Sequence, residues 1–204
     1  MANALTSKMA ALIGKARVAG GGVNIRHGVY PSLLVKKMFF GDMNSGPCFI
    51  LELRVHEAPR RIDVVEGTVT RKDVEPNAIG TECSLAVNFD GAGKLSAKSN
   101  VRAVILGLFG MEDDKVSDDQ VEATVNEICS DAQPARGMLI GLSTFPKMVR
   151  SKKDLPDNAP GKWITGLKWE CVAMPGEGRN SQAEVAKRRA ALDRAAAAEA
   201  EKAA

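Results

Sequence analysis

Lys147, Arg150, Lys152 and Lys153 crowd into one short stretch of the chain. A second group, Tyr30, Ser32, Lys36 and Phe40, falls on alternate positions of a segment rich in β-branched and aromatic residues. An unbroken strand turns all four to one side. One inserted residue exchanges that set for Lys37 and Phe39. Arg54, Lys162 and Lys168 occupy outward positions of later strand patterns. Cations neutralise phosphates and release their counterions. Aromatic faces stack on bases, so a groove carrying both holds a single strand without reading its sequence. The candidate contacts are therefore Tyr30, Lys36, Lys37, Phe40, Arg54, Lys147, Arg150, Lys152, Lys153, Lys162 and Lys168. Lysine clusters in loops are often merely solvated, and one of Phe39 and Phe40 can serve the core instead. Trp163 and Trp169 share parity with Leu167 and Cys171, which assigns them to the apolar face of their strand.

Other chemistries find little footing. No local Ser/His/Asp or Cys/His signature appears. Gly20-Gly21-Gly22 is followed by no G-K-[ST], so it does not form a phosphate-binding loop. Asp113-Asp114 and Asp118-Asp119 lack the glycine and terminal glutamate of a calcium loop. Acids there suit a helix start without any ion. The four cysteines form no C-x-x-C pair, and His27 and His56 stand apart from them. The expectation is a non-enzymatic protein with no cofactor and no metal, its thiols reduced in a cytoplasm, that of the host cell if the chain is viral. Cys83 and Cys171 read as small hydrophobes on core faces.

The net charge of +3 conceals an asymmetry. Residues 112–131 hold eight acids (Glu112, Asp113, Asp114, Asp118, Asp119, Glu122, Glu127 and Asp131) against Lys115 alone. That segment is strongly negative and the rest correspondingly basic, as expected of a basic working surface with an acidic patch elsewhere. Residues 1–41 contain no acid at all. A transit peptide has a similar composition, but the stretch reads here as a basic arm. The longest apolar run, 104–109, falls far short of the ~20 residues of a membrane span.

The elements that must position these groups follow from hydropathic period. Leu5, Met9, Leu12 and Ile13 form one apolar stripe of a short helix over residues 4–18. Glycines 20–22 hinge it to the body. A strand is predicted over 29–40, a turn over 41–47 and a second strand over 48–57. In that second strand Phe49, Leu51, Leu53 and Val55 point inward, and Ile50, Glu52, Arg54 and His56 outward. A polar connection over 58–78 holds one short extra strand near 62–69, and a third main strand covers 81–89. One helix begins at a Ser99 or Asn100 cap and stops at Gly110; another runs from a Ser117 cap to about Cys129. The fourth and fifth strands cover 137–145 and 162–173, joined by a basic loop over 146–161. Residues 181–204 favour helix by alanine content but lack a wide apolar face, so they read as a solvated tail.

Three strands, helices, then two strands is the order of the five-stranded Greek-key barrel with a helix between strands three and four, the OB-fold. The fold expected is therefore mainly β with α: an OB-fold-like domain over 24–175, an N-terminal basic helical arm with its glycine hinge over 1–23, and an alanine-rich charged tail over 176–204. The stretch from Val29 to Val172 also resembles the single-stranded DNA-binding proteins of bacteriophages. The likeness rests on F-x-x-E-x-x-V at Phe49, Glu52 and Val55, on P-x-x-x-G-x-x-x-S from Pro76 to Ser84, and on Asn100-Val101-Arg102 at a helix start. It implies an OB-fold, sequence-tolerant binding of single-stranded DNA, and a role in phage DNA replication or recombination. One departure is the C-terminus, Glu199-Ala200-Glu201-Lys202-Ala203-Ala204, which is hardly acidic, whereas such proteins often end in an acidic recruiting tail. The partners expected are single-stranded DNA and, through the arm, a second copy, with no membrane. A structural or virion-assembly protein using its terminal helices for subunit contacts is the alternative, favoured by the low aromatic content.

Overall fold

A computed structural model of the chain describes residues 23–43, 46–62, 64–66, 69–71, 75–89, 94–150, 156, 163–174 and 179–203. The arm predicted over 4–18 lies outside them. The chain is mixed α and β, with a six-stranded sheet, a separate two-stranded hairpin and three α-helices among the described residues. The strands are β1 (Val23–Asn24), β2 (Gly28–Met43), β3 (Gly46–Val55), β4 (Val64–Glu66), β5 (Val69–Arg71), β6 (Glu82–Asn88), β7 (Leu139–Arg150) and β8 (Trp163–Met174). The helices are α1 (Lys94–Phe109), α2 (Asp118–Ile128) and α3 (Gln182–Ala203).

The sheet runs β1-β6-β3-β2-β7-β8, antiparallel except for β1 alongside β6. Strand β3 shows the alternation its sequence demands: Phe49, Leu51, Leu53 and Val55 are buried, while Arg54 is exposed. The core continues through Leu33, Val35 and Met38 of β2, Cys83, Leu85 and Val87 of β6, and Ile140 and Leu142 of β7. Helix α1 closes it with Val101, Val104, Ile105 and Leu108, which recur at helical spacing on one face.

The five-stranded barrel is corrected here. The described sheet has six strands and stays open, for no ladder joins β8 to β6 or β1 among the described residues. Residues Val23 and Asn24 occupy the start of the free edge of β6, opposite Cys83 and Ser84. Helix α1 packs chiefly against β8 and also touches β6, so it spans the two ends of the open sheet. Its approach depends on Gly107: a Cβ there would lie 2.7 Å from that of Ala173 in β8.

Several boundaries move. Helix α1 starts at Lys94, so Ser99 and Asn100 lie inside it rather than at its start. The extra strand of the polar connection is a hairpin, with Glu66 opposite Val69. Helix α2 matches its predicted cap: the Ser117 side chain accepts the Gln120 N–H at 3.2 Å, and the Gln120 side chain accepts the Ser117 N–H at 2.9 Å. This reciprocal arrangement satisfies two donors that a helix start otherwise leaves orphaned.

The C-terminal helix differs most from a solvated tail. Its first half docks on the sheet through few but specific contacts. Leu192 packs with Leu34 and Leu139. Asn180 accepts the Leu139 N–H at 2.7 Å and donates to its carbonyl at 2.8 Å, as a strand neighbour would. Arg188 donates to the Gly137 carbonyl at 2.7 Å and Arg189 to the Arg136 carbonyl at 2.6 Å, so both guanidinium groups serve backbone acceptors of the turn before β7. Gly137 has φ of +85°, and a Cβ on it would meet the Val185 carbonyl oxygen at 2.9 Å. Two buried apolar residues suffice because arginines, not a wide apolar stripe, carry the docking. Leu192→Ala is accordingly expected to cost about 2 kcal/mol, read as a fall in Tm of roughly 4–8 °C. An unchanged melting temperature would show that the helix adds nothing to the fold.

Candidate nucleic-acid interface

The geometry of the candidate site is decided by β2. This strand carries two register shifts, one against β7 between Tyr30 and Leu33, the other against β3 between Val35 and Lys37. Each inserts residues that have no cross-strand partner, and side-chain parity changes across each. The even-numbered set is therefore broken up. Tyr30 and Ser32 are buried, at 0% and 1% exposure. Lys36 is the bulged residue, and its ammonium pairs with Glu82 of β6 at 2.6 Å. Beyond it, Met38 faces the core while Lys37 and Phe39 turn outward.

Tyr30 is thus corrected from a stacking residue to a core residue. Its hydroxyl lies 2.9 Å from both the Arg26 carbonyl oxygen and Asn77 Oδ1, and accepts the Asn77 N–H at 3.1 Å. Burial pushes its pKa up to about 12. Phe40 is half-exposed, at 50%, but stands opposite Phe49 at the rim of the core face. Its ring lies 5.8 Å from that of Phe49 and 6.1 Å from that of Phe89. One side of the ring is engaged by neighbours and the other is open.

The outward face of β2, β3 and β6 gathers a different group. Phe39 stands opposite Ile50, which stands opposite Ala86, forming an apolar row across three strands on the solvent side. Gly41 keeps it flat, since a Cβ there would come 3.3 Å from Ile50 Cδ1 and 3.7 Å from the Phe39 ring. The Lys37 ammonium lies 4.9 Å from the centre of the Phe39 ring, within reach of its negative face. The next row pairs Lys37 with Glu52 and Glu52 with Ser84. Arg54 follows, exposed and without an ion pair among the described residues. Ring, aliphatic shelf, ammonium and guanidinium thus share one surface.

The remaining candidates lie elsewhere. Lys147 and Arg150 belong to strand β7, not to a loop as expected, because the β7–β8 ladder continues to Arg150 opposite Trp163. The expected loop opens on Pro146, yet Pro146 pairs with Trp169 beside a register shift that takes in Lys147, the kind of irregularity where proline is tolerated. Lys168 lies in β8. Lys152, Lys153 and Lys162 fall outside the described residues.

The acidic segment is accounted for in part by its own fold. Arg102 of α1 bonds to Asp113 and, at 2.6 Å, to Asp118. Those contacts, the hydrogen bond to Asp113 first, raise the guanidinium pKa further. Arg102 is the basic residue of the N-V-R motif, so that motif ties two helices together here. Among the described residues no three His, Cys, Asp or Glu side chains converge as metal ligands. Nor is any described helix long and apolar enough to cross a membrane. Cys83 is buried, as its strand parity predicts, and burial pushes its thiol up to about 11.

No family model matches the chain, and no curated protein sequence matches it either. Sequence reasoning had already turned Ile50 and Arg54 outward. It missed Gly41 as part of the same platform. An isoleucine on the outer face of an otherwise well-alternating strand was the available signal.

Proposed function

We propose that this chain binds single-stranded nucleic acid, single-stranded DNA first, without sequence preference and without catalysis, on the outer face of β2, β3 and β6. One observation carries the reading: the bulge at Lys36 turns Lys37 and Phe39 onto the surface that already bears Ile50 and Arg54. A flat apolar and aromatic shelf flanked by exposed cations is what base stacking with phosphate neutralisation requires.

The strand neighbours support an OB-type reading of the fold. Strand β2 lies between β3 and β7, β3 is followed by β6, and β7 by β8. That is the neighbour pattern of a five-stranded Greek-key barrel lacking its last ladder, with β1 as an added strand. OB-folds are partly open barrels that take oligonucleotides on the face of their second and third strands, here β3 and β6. The resemblance to phage single-stranded DNA-binding proteins points the same way and suggests service in replication or recombination.

Fluorescence anisotropy with a pyrimidine oligonucleotide, the matching duplex and the matching RNA tests the proposal. Affinity for the single strand should exceed that for duplex and should fall with salt at a log–log slope of about −0.7 per phosphate engaged. No binding at low salt would abandon the reading in favour of an assembly protein.

A further inference from the structure

We propose that Lys36 and Arg54 form a phosphate subsite on the outer sheet face, and that the Glu82 carboxylate occupies it until a phosphodiester of the bound strand displaces it. The inference rests on the nucleic-acid reading above and names how that same face is regulated.

Register fixes the cluster. Arg54 of β3 stands opposite Glu82 of β6 on one side and Leu34 of β2 on the other. Cross-strand partners share a face, so all three lie on the outer side. Leu34 is buried there with Leu192 of α3, while Arg54 and Glu82 are exposed. Lys36, the bulged residue of β2, still reaches Glu82, its ammonium 2.6 Å from the carboxylate. Glu82 is two strand spacings away, about 9.5 Å, so the lysine side chain crosses β3 beside Arg54.

The two partners differ in freedom. The Lys36 side chain is 30% exposed and that of Glu82 54%. The lysine stem is covered and its charged head is held in place. The glutamate stands at the first residue of β6, where it can swing into water without burying a charge. An exposed ion pair contributes little, so the carboxylate yields to a stronger anion. A phosphate entering between Lys36 and Arg54 meets two cations at once, each offering charge-assisted hydrogen bonds. The next row, Lys37 opposite Glu52, leads on to the shelf of Phe39 and Ile50. The exchange also has a signature in salt. A phosphate taken up by Lys36 sheds counterions, but the released carboxylate gathers a cation in return, and the two nearly cancel.

Glu82→Gln removes the competitor. It should tighten binding of the pyrimidine oligonucleotide about two- to five-fold at low salt, the equivalent of one exposed ion pair. It should also steepen the log–log salt slope by about 0.7. Lys36→Ala in the Glu82→Gln background should abolish both gains. Thermal melts accompany each titration, because a purely structural pair would lower Tm and leave affinity and slope at the parent's values. That result overturns the proposal. The subsite is also read without nucleic acid. Inorganic pyrophosphate titrated into isotope-labelled protein should shift the backbone amides of Lys36 and Arg54 saturably, at lower concentration in Glu82→Gln than in the parent, and the double variant should lose the response. If the parent binds no oligonucleotide, the nucleic-acid reading falls and the pyrophosphate titration alone decides the subsite. Amides of Glu82→Gln indifferent to pyrophosphate would overturn it whatever the oligonucleotide does.

Discussion

Tyr30→Ala is expected to cost about 3–5 kcal/mol of folding stability, the range for removing a large buried ring, rather than to produce a folded protein that binds DNA less well. The ring is fully buried, and its hydroxyl is shared among Arg26 and Asn77. Tyr30→Phe keeps the ring but strands the Asn77 N–H, at a cost of about 1–3 kcal/mol. Chemical denaturation reads both. The chain has one tyrosine, so the ultraviolet absorbance change on phenol ionisation reports Tyr30 alone. Its midpoint should lie at about 12, whereas an exposed stacking tyrosine would titrate near 10. The same shift has a consequence for alkaline stability. The unfolded phenol ionises first, so the contribution of Tyr30 is intact below about pH 10. It is lost as pH rises through about 12. Cys83 and Cys129, both raised by burial to about 11, start that decline earlier. A midpoint near 10 in the folded protein would remove Tyr30 from the core and restore it as a binding candidate.

Tyr30 also shows where sequence reading of this fold runs out. Strands β3 and β6 are legible because their burial alternates strictly, Phe49 to Val55 and Cys83 to Val87. The cap of α2 is legible because Ser117 and Gln120 stand three apart, a local signature with a local cause. Strand β2 is not, because its two irregularities arise from pairing with β3 on one side and β7 on the other. No residue of β2 announces that demand, so parity counted along the strand misplaces Tyr30. The open sheet is illegible for a similar reason: whether β6 and β8 pair depends on where β1 and α1 settle. The docking of α3 hides in its arginines. Arg188 and Arg189 read as solvated charge, yet they serve backbone carbonyls of a turn some fifty residues earlier in sequence. Of the candidate site, Arg54 and Ile50 were readable from alternation, and Lys37 with Phe39 only as the alternative that a bulge selects.

That selected face makes the sharpest expectation for binding. Phe39→Ala should remove one stack, about 1–3 kcal/mol per base, or roughly 5- to 150-fold in affinity, with the salt slope nearly unchanged. Lys37→Ala with Arg54→Ala should instead flatten the slope by about 1.4, the value for two phosphates on a single strand, and weaken all sequences alike. Each substitution sits on the solvent side of the sheet, where Lys37 and Arg54 are exposed and Phe39 is partly so, so thermal melts should stay close to the parent. Phe40→Ala separates the face from the rim. Its ring packs against Phe49 and Phe89, so it should lower stability measurably while costing less affinity than Phe39→Ala. The measurement is the anisotropy titration repeated at several salt concentrations for each variant. If the Phe39 variant binds like the parent and the Phe40 variant does not, the strand reaches the core rim instead of the outer sheet. If the double cation variant keeps the parent's slope, the phosphates are held elsewhere, with Lys147, Arg150 and Lys168 of the β7–β8 hairpin next in line.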